Sequence, residues 1–363
     1  ERGEKKMDFK IAVIPGDGIG VDVVREGIKV LDRIGEVYGH TFHYQHMLAG
    51  GCCIDAHGTP ILDETLEICK TCDAILFGAA GGPKWDSLPR EQRPERALAR
   101  LRREFNLFAN LRPAKIYEDL KENSPLKSRV IEKGIDLMLI RDLTGGIYFN
   151  EKGRREGKYG LEAFDVECYS VMEITRVAKK AFEIAMTRRK KVTSVDKSNA
   201  LETSKLWRET VTEVAKDYPE VELKHMLVDK AAMELACNPS VFDVILTTSI
   251  FGDILSDEAG VTTGSVGMLA SASLNERGFG LYEPIHGTAP DIAGKGIANP
   301  LATVASVAMM LEIALNLPQE AAAVDRAINR VLHDGYRTPD IYTEGTTKVT
   351  TMEMGTLTAE RIS

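Results

Sequence analysis

Asp253 and Asp257 stand four residues apart in Ser-Ile-Phe-Gly-Asp-Ile-Leu-Ser-Asp, residues 249–257. On a helix that spacing puts both carboxylates on one face, where they repel. A divalent cation between them removes the repulsion, and hard oxygen ligands suit Mg²⁺ or Mn²⁺. A solvated acidic face is the simpler alternative. Position favours the metal: the pair follows an apolar, β-branched run, residues 241–248, that reads as a buried strand. Open α/β sheets place ligands at the carboxyl ends of their strands. Asp229 is a third candidate ligand. Arg102, Arg112 and Arg141 could hold two carboxylates by bidentate hydrogen bonds, although each singly is more ordinarily a surface residue. Lys197 and Tyr148 have the chemistry of a base and an acid. A substrate with two carboxylates and a hydroxyl satisfies the whole set, and a metal would polarise that hydroxyl or the ketone derived from it.

The elements that must position these groups follow one rhythm. Strands are predicted at 135–140, 190–195, 221–228 and 241–248, each with a charged residue at or just past its carboxyl end: Arg141, Lys197, Asp229 and Asp253. Ile250, Ile254 and Leu255 are expected to form the apolar stripe of the helix that carries the aspartate pair. A strand at 10–15, the turn Gly16-Asp-Gly-Ile-Gly20 and a helix at 21–38 invite a dinucleotide-fold reading. The spacing denies it. G-x-G-x-x-G needs glycine at 21, where Val21 stands, and Asp32 lies inside the helix rather than after a second strand. A tight strand-to-helix turn beside a ligand is the reading instead. The stretch after Phe149 to Ala163 is polar and Gly-rich between expected strands at 146–150 and 164–169, which predicts a β arm at about 143–169 pairing with another subunit. Residues 280–300 are too rich in Gly and Pro for regular structure and too long for a connector, so they read as a loop wrapping a ligand with backbone amides. Helix to about 334 and a short tail complete the chain.

Composition bounds the partners. The chain has 363 residues, long enough for two lobes, and its net charge of −8 argues against nucleic acid. No apolar run approaches ~20 residues, so no membrane span is expected. The first residues, Glu-Arg-Gly-Glu-Lys-Lys-Met, lack the apolar core of a secretory leader. Six cysteines, at 52, 53, 69, 72, 168 and 237, are expected to be reduced, packed thiols, as in a cytoplasmic protein.

Several motifs are specific to one family: Pro-Gly-Asp-Gly-Ile-Gly at 15–20, Gly-Gly-Pro-Lys-Trp-Asp at 81–86 and Leu-Phe-Ala-Asn-Leu-Arg-Pro at 107–113. Leu-Thr-Gly-Gly-Ile-Tyr-Phe at 143–149, the aspartate motif at 249–257 and His-Gly-Thr-Ala-Pro-Asp-Ile-Ala-Gly at 286–294 extend the match over about 10–360. The chain resembles the metal-dependent β-decarboxylating dehydrogenases, the isocitrate/isopropylmalate dehydrogenase family. The resemblance implies an α/β fold of two lobes with a large mixed sheet, and not a Rossmann fold. The first lobe would be 1–107 and 264–363 and bind NAD; the second, 108–263, would carry dimerisation, the arm and the metal and substrate residues. It implies NAD-dependent oxidative decarboxylation of 3-isopropylmalate in leucine biosynthesis, by a homodimer with shared active sites.

Residue by residue, the resemblance assigns the malate carboxylates to Arg102, Arg112 and Arg141, with Leu98 facing the γ-substituent and Asp229 beside the substrate. Asp253 and Asp257 would ligate Mg²⁺ or Mn²⁺, joined by Asp229 of the other subunit. Lys197, also from the other subunit, would be the base and Tyr148 the acid. NAD would lie on Asn199 and on the loop from His286 through Gly287, Thr288, Ala289, Pro290, Asp291 and Ile292 to Asn299, with Asp291 at the adenosine ribose favouring NAD over NADP. Leu98 argues against isocitrate, which needs a polar partner there, and Ala200, three residues past Lys197, is small for a wall of the isopropyl pocket. A silent regulatory subunit would tolerate loss of a metal Asp, Lys197 or Tyr148, and all are present. A metal-binding structural protein would not need the long loop.

Overall fold

The computed structural model describes residues 6–363. In chain order the strands are β1 (Asp8–Gly16), β2 (Thr41–His46), β3 (Ala74–Ala79), β4 (Ala109–Lys115), β5 (Asp136–Asp142), β6 (Lys152–Gly157), β7 (Gly160–Asp165), β8 (Lys191–Asp196), β9 (Glu222–Leu227), β10 (Val244–Thr247), β11 (Ala270–Leu274) and β12 (Gly280–Pro284). The helices are α1 (Gly20–Tyr38), α2 (Gly51–His57), α3 (Asp63–Cys69), α4 (Glu95–Glu104), α5 (Ser128–Ile131), α6 (Val171–Met186), α7 (Glu202–Ala215), α8 (Val228–Cys237), α9 (Ser249–Thr262), α10 (Leu301–Ile313), α11 (Pro318–His333) and α12 (Thr351–Glu360). The ten strands of the large mixed sheet fall five to each of two compact units.

One unit takes in the residues up to Leu107, Tyr117–Asn123 and Gly264–Ser363. Its strand order is β2-β1-β3-β12-β11, parallel except for the β11–β12 pair. β3, Ala-Ile-Leu-Phe-Gly-Ala, is buried along its whole length, as an apolar run in the middle of a parallel sheet should be. β2 alternates partly buried and exposed residues at the sheet edge. Ile14, Ile75, Phe77 and Leu101 share one core with half-buried Leu98. α1 stops at Gly39, whose left-handed φ of 79° lets its N–H reach the Gly35 carbonyl.

The other unit, Phe108–Ile116 with Ser124–Thr263, has the order β4-β5-β10-β8-β9. β5, β10, β8 and β9 run parallel, so their carboxyl ends lie along one edge; β4 is antiparallel. Leu137, Leu139, Phe242, Ile245 and Leu255 form its core. α6 starts on a capping box in which Ser170 and Glu173 satisfy each other's backbone N–H groups.

Six expectations change. The arm is a hairpin of β6 and β7, Gly157 opposite Gly160 across a two-residue turn, so the predicted strands at 146–150 and 164–169 are displaced. Residues 143–149 are turns instead, because the Asp142 carboxylate accepts the N–H groups of Thr144 and Gly145 and bends the chain there. The strand predicted at 241–248 shortens to β10, since Pro239 opens a 3₁₀ turn through Val241. On α9 the buried positions include Gly252, Leu255, Ser256 and Ala259, while Ile254 is exposed. Gly280–Pro284 is a buried strand inside the predicted loop, and the tail carries α12 on a Thr350/Glu353 capping box. All six cysteines are free, but Cys168 and Cys237 are exposed rather than packed.

Candidate active site

β5 and α9 bring the predicted charged residues together. Arg141, near the carboxyl end of β5, is almost fully buried and donates from Nη1 to Asp253 Oδ1 at 2.5 Å. Arg112, on neighbouring β4, stands 3.7 Å from the same oxygen and donates to Asp257 Oδ1 at 3.5 Å. Tyr148, in the turn after β5, donates its hydroxyl to Asp253 Oδ2 at 3.2 Å, and the Arg141 guanidinium lies 5.6 Å from the centre of its ring. Two cations, two carboxylates and a phenol therefore meet at one sheet edge. Burial first, and the Asp253 charge second, push the Tyr148 pKa up, so the phenol keeps its proton at neutral pH.

Two neighbours of this cluster carry no charge and escape a search for charged residues. Asn110 Oδ1 accepts from Arg112 Nε at 2.7 Å, and Ser256 Oγ accepts from Arg112 Nη1 at 2.6 Å. Both obey simple periodicity: Asn110 is two residues from Arg112 along a strand, and Ser256 three from Asp253 along a helix.

Lys197 and Asp229 form a second pair. Lys197 follows β8, its N–H held by Ser204 Oγ at 3.0 Å. Before it, buried Asp196 is pinned by Arg208 at 2.9 and 3.0 Å and accepts the Ser198 N–H, which shapes the turn leading to exposed Asn199. The Lys197 ammonium binds Asp229 at the start of α8, and that hydrogen bond lowers the Asp229 pKa. Among the described residues, no three His, Cys, Asp or Glu side chains converge to hold a metal.

In the first unit, Arg102 on α4 donates to Glu283 Oε1 at 2.9 Å, and Leu98 lies one turn before it on the same helix. Glu283 was hidden within the segment read as irregular. The loop after β12 is anchored at three points. The Thr288 carbonyl accepts the Ile19 N–H at 2.8 Å, Ile292 packs beside Ile19, Val23 and Ala298, and Asn299 is buried with its amide on Asp340 at 3.1 Å. Pro290 and Asp291 are exposed, and Ala289 holds a left-handed φ of 37°. His286 Nδ1 lies 2.9 Å from the Gly287 carbonyl, while its buried Nε2 has no partner. Burial lowers the His286 pKa, which leaves a neutral ring with Nε2 free to accept.

These donor sets suit the expected groups. Asp253 and Asp257 offer hard, accessible oxygens one helical turn apart, as a divalent cation requires. Around the loop, a Cβ added at Gly287, Gly294 or Gly296 would meet nothing within 4 Å, so the backbone is open to a cofactor, and the orphaned His286 Nε2 awaits a donor.

The isocitrate/isopropylmalate dehydrogenase family model matches residues 10–357, and the chain belongs to that family; it is an oxidoreductase. It is 60% identical over 350 residues to a 3-isopropylmalate dehydrogenase of Clostridium acetobutylicum, covering 96% of this chain and 98% of that one. It is 54% identical over 347 residues to a 3-isopropylmalate dehydrogenase of Aquifex aeolicus, covering 95% of each. Among solved structures it resembles an isocitrate dehydrogenase from Methylococcus capsulatus, with a TM-score of 0.85, 34% identity and coverage of 98% and 99%.

Proposed function

We propose that the chain converts (2R,3S)-3-isopropylmalate to 4-methyl-2-oxopentanoate and CO₂, with NAD as hydride acceptor and bound Mg²⁺ or Mn²⁺, in leucine biosynthesis in the cytoplasm. The near full-length 60% identity to an enzyme of that name carries the reading. The geometry supports it. Arg112 and Arg141 exchange Asp253 and Asp257 for the substrate carboxylates, and Arg102, paired with Glu283, is assigned to the same carboxylates by the family resemblance. Asp253 and Asp257 are then free for the cation, with Asp229 of a second subunit as third ligand.

Bound there, the cation supplies Lewis acidity toward the hydroxyl and the ketone made from it. Lys197 of the second subunit, as the neutral amine, would take the C2 hydroxyl proton, and bound NAD would supply the hydride acceptor. The β-carboxylate departs as CO₂, its electron pair entering the enolate. Tyr148, still protonated, supplies the proton to C3. Leu98 faces the isopropyl group, and Asn199 with the His286–Asn299 loop holds NAD. The dimer is supported by Met233, Ile254 and Val261, which leave apolar surface exposed on α8 and α9, and by the β6–β7 arm.

NADH formation from 3-isopropylmalate, isocitrate and malate tests the reading, with and without EDTA. Turnover of 3-isopropylmalate far above the other two, abolished by EDTA and restored by Mn²⁺, is expected. Preference for isocitrate would overturn the substrate.

A further inference from the structure

The turn Gly16–Gly20 has no part in the chemistry above, yet it contacts the loop proposed to bind NAD and is closely held by its neighbours. We infer that Asp17 is a positioning residue that holds this loop in shape, an inference that rests on the NAD site proposed above. Asp17 is 5% exposed. Its carboxylate accepts three backbone N–H groups: Gly51 and Cys52 at 2.7 Å each, and Gly81 at 3.0 Å. Its own N–H donates to the Ala79 carbonyl at 2.7 Å. Backbone N–H donors thus surround the buried carboxylate. Such charge-assisted bonds are the strong ones.

The residues that follow grip the loop. Gly18 has φ +57°, and a Cβ there would lie 2.0 Å from the Thr288 carbonyl oxygen. The Ile19 N–H donates to that same carbonyl at 2.8 Å. Asp22, in the first turn of α1, accepts the Gly294 N–H at 2.9 Å. Residues 288–294 are thus held at both ends by the turn and the helix it opens. The turn itself contains two left-handed glycines, Gly16 and Gly18, which have wide conformational freedom. Asp17, between them, ties the turn to the end of β3 and the start of α2. Without its carboxylate the glycines relax, and the grip on Thr288 loosens with them.

Asp17→Asn keeps the shape but turns an NH₂ toward backbone donors, so at least one of the three bonds is lost. In that variant we expect KM for NAD to rise about tenfold, a change of about 1.4 kcal/mol. KM for 3-isopropylmalate and kcat at saturating NAD should stay within about threefold, because the arginine cluster is untouched. In the absence of ligands, amides of 288–294 should exchange hydrogen about tenfold faster, with the interiors of β3 and α10 unchanged. If Asp17→Asn does not fold, Asp22→Ala removes the acceptor of the Gly294 N–H and should show the same pattern, weaker. Unchanged exchange and unchanged KM in a folded variant would overturn the inference. So would faster exchange throughout the unit with kcat falling and KM for NAD constant, the mark of a purely structural role. A parent that ignores NAD would refute the cofactor assignment, while the exchange measurement would still decide whether Asp17 shapes the loop.

Discussion

Asp253 and Asp257, whose carboxylates reach solvent, pair with Arg141 and Arg112 and keep these two buried guanidinium groups from being uncompensated charges. Substitution on the acidic side should therefore act through the cation. Asp253→Asn is expected to reduce turnover at least ~100-fold at fixed Mn²⁺ by weakening the ligand set. Full activity of that variant in EDTA would remove the metal from the scheme. Leu98 acts through packing. It is half-buried against the core that holds Leu101, so its exposed side is a fixed wall. Leu98→Ser should cost about 1–3 kcal/mol in kcat/KM for 3-isopropylmalate and less for malate, which lacks the apolar substituent. Equal losses on both substrates would show that the residue does not touch that group. Asp291 is exposed on the loop proposed to bind NAD, where a carboxylate would repel a 2′-phosphate. Asp291→Lys should narrow a parent preference for NAD over NADP of more than about tenfold, measured as kcat/KM. The neighbouring Ile292 packs beside Ile19 and Val23, so it is left unchanged in this test. At this scale the sequence displays charge well: Arg141, Lys197 and Asp253 are legible because each lies at or beyond the carboxyl end of a strand. Asn110, Ser256 and Glu283 are not, because neutral side chains and an acid inside a Gly-rich run look like solvated surface until their partners are known.

At the scale of elements, strands with one apolar face or a continuous apolar run were legible, and elements defined by non-local contacts were not. β3 and β5 follow from their composition. β12 does not: Gly280 and Pro284 disguise a strand whose burial comes from β3 and β11 on either side. The arm was displaced because its alternation is weak and its register is set by the turn between Gly157 and Gly160. Declining the dinucleotide motif has a physical basis in the fold. Asp32 sits within α1 and accepts a hydrogen bond from Tyr44. Gly16 and Gly20 approach the Ala79 and Pro15 carbonyls within 2.2 Å of where a Cβ would be, so these glycines serve chain packing. α12 offers a test of the same kind. A Cβ at Gly355 would fall 2.0 Å from Glu26 Oε2 and 2.7 Å from Glu26 Cβ on α1. The carboxylate can swing, but the Glu26 Cβ moves only with its helix. Gly355→Ala should therefore destabilise by about 1–3 kcal/mol, despite the better helix propensity of alanine. Denaturant unfolding reads this directly, and an unchanged midpoint would mean the two helices separate freely.

At the scale of the whole molecule, the question is why one chain contains two partial sites. Arg112, Arg141, Tyr148, Asp253 and Asp257 meet in one cluster, while Lys197 and Asp229 pair with each other. No third acid completes the Asp253/Asp257 pair among the described residues. The exposed apolar side chains of Met233, Ile254 and Val261 lie on the two helices that carry Asp229 and the aspartate pair. A two-fold dimer through these helices would bring Lys197 and Asp229 of one subunit to the arginine cluster of the other, once on each side of the axis. The arrangement makes a quantitative demand. Lys197→Ala and Asp253→Ala should each be inactive as homodimers. After subunit exchange about half of the dimers are hybrids, and each hybrid has one intact site and one doubly altered site, so about a quarter of parental activity should return. Differently tagged chains allow exchange to be followed by native mass spectrometry alongside the assay. Recovery should track the hybrid fraction and vanish when both substitutions are placed on the same chain and mixed with itself. If hybrids form and the mixture remains inactive, each site is built from a single chain, and Lys197 with Asp229 must act elsewhere.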